Sequence, residues 1–142
     1  MIYTQSSVAS ATAFEMVQTA IAHAGKNSWG VAAAVVDAQG VILALSRMDG
    51  VAPNVADFAQ DKAYTAATMR RSTETFAERM GGSPSLALGL STRQRLLTWG
   101  GGLPILKDGI CIGAIGVSGA KDFQDIDCAK AALVAAGFDA PE

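Results

Sequence analysis

The 142-residue chain is nearly without histidine. His23 is the only one, and the two cysteines, Cys111 and Cys128, stand 17 positions apart. That inventory excludes a zinc-finger spacing, a disulfide framework and an H-E-x-x-H metal site. It also excludes a Ser-His-Asp arrangement unless His23 itself serves. Aromatic residues make up 6%, so small side chains must pack the core close to backbone. Neither sign of charge is in excess. Eleven Lys and Arg face 13 Asp and Glu, for a net charge of -2, which leaves no electrostatic footprint for nucleic acid or an anionic membrane. No apolar run approaches the roughly 18 residues of a membrane span, and the amino-terminal residues Met1 to Ser10 have neither a basic region nor a continuous apolar one. A reduced, cytoplasmic protein with no nucleic-acid or membrane partner is expected.

Half of the residues are apolar and 17% charged, enough for a core and sized for one domain over 1–142. A period of 3.6 over residues 6–24 puts Ala13, Phe14, Val17, Ala20, Ile21 and Ala24 on one helical stripe. The β-prone runs Val31–Asp37 and Val41–Met48 flank Ala38-Gln39-Gly40, a hairpin connection. Asn54, with Asp57 three residues on, predicts a capped helix to about Arg70. Thr75 with Glu78 predicts a second helix ending at Gly81-Gly82, and a further helical turn follows Pro84. Strands are expected at Leu96–Trp99, at Ile105–Lys107 and, after the Asp108-Gly109 turn, at Ile110–Ser118. A last helix then ends before Gly137. The order has hairpins where a parallel sheet would have crossovers. The expected class is therefore α+β, a single antiparallel sheet of about five strands flanked by helices.

Lys62 carries the most information. It lies in the middle of the apolar stripe of the helix from Val55, beside Phe58, Ala59, Ala66 and Met69. Its ammonium either reaches a carboxylate or a sheet-end carbonyl, or points into a pocket as an anion holder or acid-base group. Gly100-Gly101-Gly102-Leu103-Pro104 is either an anion-binding concavity of backbone N–H groups or a sharp corner between strands, with Pro104 fixing its exit. The glycines of Gly113 to Gly119 lack the G-x-G-x-x-G spacing, yet Ser118 and Gly119, before a helix, are placed to help hold an acid group. Arg47, ahead of Met48-Asp49-Gly50, can close a pocket or brace the turn through Asp49. His23 sits about 120° from the centre of its helix's apolar stripe, as a partly exposed surface residue would. Cys111 and Cys128 read as small core residues. The pairs Arg70-Arg71 and Arg93/Arg95 read as solvated faces or subunit contacts.

Six pieces occur in one order: Val35-Val36-Asp37 with Gly40; Arg47-Met48-Asp49-Gly50; Lys62-Ala63 with Thr65-Ala66; Gly101-Gly102-Leu103-Pro104-Ile105; Gly113 to Gly119; and Gln124-Asp125. As a set, over nearly the whole chain, they resemble the GlcG/HbpS-like family, often labelled the haem-degrading domain. The resemblance implies a profilin-like or PAS-like layered fold and a homo-oligomer, from dimer to octamer. It also implies a small-molecule ligand, with haem or another tetrapyrrole as cofactor. On that reading Lys62 or Arg47 pairs a propionate and His23 is the haem ligand. The alternative is a metal-independent hydrolase or isomerase of a small organic acid from glycolate, diol or aromatic degradation. There Lys62 is the catalytic group, and Arg47, Gly101, Gly102, Pro104, Ser118 and Gly119 bind the ligand.

Overall fold

A computed structural model describes residues 1–141. The chain forms α1 (Ser10–Lys26), β1 (Ala32–Asp37), β2 (Ile42–Arg47), α2 (Asn54–Met69), α3 (Thr73–Met80), α4 (Pro84–Leu90), β3 (Gly102–Lys107), β4 (Ile110–Ser118) and α5 (Asp122–Ala135). The strands make one antiparallel sheet in the order β2-β1-β4-β3. The architecture is α+β as expected, with four strands. The expected strand Leu96–Trp99 is absent because its backbone bonds elsewhere: the Leu97 N–H donates to the Thr65 hydroxyl on α2 at 2.9 Å. Trp99 instead packs edge-on against Phe58.

Strand β1 is buried on both faces, and its alternation sorts the core. Ala33 and Val35, with Val31 just before the strand, join the apolar cluster that holds α1 and α5. Ala32, Ala34 and Val36 meet Ala59, Ala63, Ala66 and Ala67 of α2 on the other side. Small residues are needed there because helix and sheet touch backbone to backbone. A Cβ on Gly116 of β4 would lie 2.1 Å from the Ala59 carbonyl oxygen and 2.5 Å from the Ala63 nitrogen. The alanine and glycine content is the means by which α2 lies directly on β1 and β4.

Several boundaries move for local reasons. Helix α1 starts at Ser10, not residue 6, because the preceding backbone is tied to β4: the Val8 N–H donates to the Ile112 carbonyl at 2.8 Å. Asn54 makes no side-chain cap. The preceding turn is already helical, and the Val55 and Ala56 N–H groups bond the carbonyls of Ala52 and Pro53. Helix α3 is capped by Ser72, whose hydroxyl accepts from the Thr75 N–H at 3.1 Å, so the signal at Thr75 lay three residues late. Pro104 does not close a loop. It stands inside the edge strand β3, opposite Ala114, where a missing N–H is tolerated.

Candidate functional site

Because α2 lies so close to the sheet, the Lys62 side chain has no route to solvent. It is 1% exposed, and its Nζ donates to the Val117 carbonyl at 2.9 Å and to Asp125 Oδ2 at 3.2 Å. Asp125, also 1% exposed, is brought there by the first turn of α5, and its other oxygen accepts the Ala120 N–H at 3.0 Å. Burial pushes the Lys62 pKa down, opposed by the Asp125 charge. Burial likewise pushes the Asp125 carboxyl up, opposed by the Lys62 charge. The ion pair joins α2, the end of β4 and the start of α5.

The glycine loop closes over this pair. Gly101, at φ 126°, adopts backbone that favours glycine, and a Cβ on it would meet the Val117 oxygen at 2.4 Å and Lys62 Nζ at 3.1 Å. The Gly102 N–H is taken by the buried Thr73 hydroxyl at 3.0 Å, and the Gly101 carbonyl accepts the Val117 N–H at 3.0 Å. The loop is thus a packed corner that spends these groups internally. The space expected to hold a ligand between sheet, α2 and glycine loop is occupied by the lysine's own ammonium. Ser118 is buried opposite Ala32 at the end of β4, and Gly119 follows in close contact with the Gly30 carbonyl.

Two expected site residues lie elsewhere. Arg47 is exposed at the end of β2, and its guanidinium donates to the Val51 carbonyl. It braces the turn through that oxygen and not through Asp49. His23 is bonded at 2.7 Å to Asp127 of α5 and lies edge-on to Trp29. Asp125, which the sequence presents in the Gln124-Asp125 piece with no partner named, is the carboxylate that reading by residue type did not assign to Lys62.

The open surface is on the other side of the sheet. A groove of about 660 Å³ runs between α1 and the edge strand β2, walled by Phe14, Ile21 and Leu43, with Gln18 and Ser46 among its polar groups. Phe14 is 58% exposed. This volume is in the range of about 300–1,000 Å³ that small-molecule sites occupy. His23 does not enter the groove, since it lies about half a turn around the α1 axis from Phe14 at roughly 100° per residue.

Comparison with known proteins gives this arrangement a lineage. The family model described as haem degrading protein HbpS-like matches residues 8–134. The chain belongs to the HbpS-like family. Protein GlcG of Escherichia coli strain K12 is 44% identical over 95 residues, which is 67% of this chain and 69% of that protein. Among solved structures, Klebsiella pneumoniae protein ORFY superposes with a TM-score of 0.88 at 29% identity, covering 95% of this chain and 94% of ORFY. The PduOC:heme complex superposes with a TM-score of 0.86 at 26% identity, covering 96% of this chain and 99% of PduOC. The family and the layered fold therefore agree with the resemblance read from the six sequence pieces.

Proposed function

We propose that this chain binds haem or a related tetrapyrrole across the groove between α1 and β2. The observation that carries the reading is the apolar wall of Phe14, Ile21 and Leu43, in a fold shared over nearly its whole length with a protein crystallised as a haem complex. A flat macrocycle is held by such a wall through burial of its ring face. The residues fit the ring better than the iron. No imidazole, thiol or thioether is among those that line the groove, and His23 is turned toward Asp127. Haem, when bound, supplies a redox-active iron; the chain supplies the apolar seat, with Gln18 and Ser46 as hydrogen-bonding groups along it. Lys62 does not pair a propionate on this reading, because its ammonium is enclosed with Asp125. The same enclosure removes the support for an acid-metabolising enzyme built on Lys62.

The test is an absorbance titration of the full chain with haemin. A saturable Soret change is expected, weakened by Phe14→Ser and Leu43→Ser, which alter positions open to solvent, and unchanged by His23→Ala. A titration that ignores both groove variants, or one abolished by His23→Ala, overturns this placement.

A further inference from the structure

On the α2 side of the molecule a second groove, of about 590 Å³, lies between α2 and the segment leading to β3. It has no part in the reading above. Its wall contains the guanidiniums of Arg93 and Arg95, with Tyr64, Thr68, Thr92 and Gln94, and no carboxylate. That is an unusual local balance in a chain of net charge -2.

The segment is held in place by α2. The buried Thr65 hydroxyl accepts the Leu97 N–H at 2.9 Å and donates to the Arg95 carbonyl at 3.3 Å, which fixes the backbone on which Arg95 is mounted. The Arg95 side chain is ordered twice more. Its Cζ lies 3.9 Å from the centre of the Tyr64 ring, and its Nε donates to Asp61 at 3.4 Å. Stacking on one face and a single carboxylate on Nε leave the terminal N–H groups of the planar fork without a partner among the described residues. Arg93, two residues away in the same wall, donates its backbone N–H to the Leu90 carbonyl at 2.9 Å, and its guanidinium has no hydrogen-bond or ion-pair partner among the described residues. The Thr68 and Thr92 hydroxyls donate to the Tyr64 and Gly89 carbonyls at 2.7 Å, so the donors left for an anion are the two guanidiniums, one of them pre-ordered, and the Gln94 amide, a set suited to a small dianion.

We infer that this groove binds a small organic dianion, a phosphate monoester or a dicarboxylate, between Arg95 and Arg93. Arg95 is the anchor that accepts the anion without further ordering, and Arg93 supplies the second charge. The probes are inorganic phosphate and succinate, with acetate as the singly charged control. Each is titrated into the full chain by calorimetry at constant ionic strength. Saturable binding of phosphate or succinate, well above that of acetate, is expected, and the stronger of the two identifies the ligand class. Arg93→Gln should weaken it by about tenfold or more with no change in melting temperature, since the Arg93 guanidinium makes no hydrogen bond or ion pair among the described residues and the substitution keeps the backbone bond to Leu90. Arg95→Lys, which keeps the charge and gives up the planar fork, should weaken it comparably. No saturable binding of either dianion overturns the inference, and so does binding that survives Arg93→Gln. Binding only of a long polyanion such as heparin overturns it in favour of a diffuse basic surface.

Discussion

The enclosed Lys62–Asp125 pair makes the sharpest demand on experiment. Asp125→Asn removes the charge that faces a sealed ammonium. Lys62→Met leaves a buried carboxyl with only the Ala120 N–H. Breaking a buried pair from one side costs about 3–5 kcal/mol, because the remaining charge is stranded. In the combined variant no charge is stranded. What remains is the loss of the bond to the Val117 carbonyl and imperfect packing, about 1–3 kcal/mol. The single costs should therefore exceed the double cost when added, with a coupling of at least about 3 kcal/mol. Urea unfolding followed by circular dichroism at pH 7 measures all four corners of the cycle. The pH dependence adds a sign. Asp125 is held above its ordinary 3.8 by burial, against the pull of Lys62. In Lys62→Met that pull is gone, so the folded state holds the Asp125 proton more tightly than the unfolded state does. Stability of Lys62→Met should then be greatest below about pH 4 and fall as pH rises through the raised folded pKa. Single costs near 1 kcal/mol, or strictly additive ones, would refute the view that the pair is buried and mutually dependent.

Other consequences are simpler to read. Gly116→Ala would place a methyl group 2.1 Å from the Ala59 carbonyl oxygen and should cost about 3 kcal/mol or prevent folding, as seen in thermal melting. Gly89→Ala, inside α4 with nothing within 4 Å of the new group, should instead stabilise by roughly 0.5–1 kcal/mol. Cys128 is buried and its thiol is pushed up to about 12 by burial and nearby carboxylates. Iodoacetamide on the folded chain at pH 8 should therefore spare Cys128, with mass spectrometry of the peptides as the readout.

The parts of the fold legible in the sequence are those set by local rules. The β1–β2 and β3–β4 turns were marked by Gly40 and by Asp108-Gly109, all at positive φ. Lys62 stood out because a charge in an apolar helical stripe is costly unless paired. Its two bonds realise both partners anticipated for a structural lysine, a carboxylate and a sheet-end carbonyl. The identity of that carboxylate was not legible, because Asp125 is 63 positions away and a helical wheel gives a direction without naming what lies along it. The false strand at Leu96–Trp99 has the same origin. Its apolar residues suit a strand, but Thr65 on another element claims the Leu97 backbone. The glycine loop shows the limit from the other side: the residue types permit an anion-binding concavity, and only the positions of Thr73 and Val117 show its groups already spent.

The two faces of the sheet consequently have different capacities for ligands. On the α2 face, alanine and glycine bring helix and strand backbones into contact. Little room is left there except where α2 meets the Arg93–Arg95 segment beyond the sheet. On the α1 face larger side chains separate the layers, and the edge strand β2 leaves Leu43 partly uncovered beside the exposed Phe14. A large apolar ligand and a small charged one would thus be directed to opposite sides by packing alone. The Lys62–Asp125 pair lies between them as part of the frame. A change that loosens that frame, such as Asp125→Asn, should therefore disturb both grooves together, whereas Phe14→Ser and Arg93→Gln should each disturb only one.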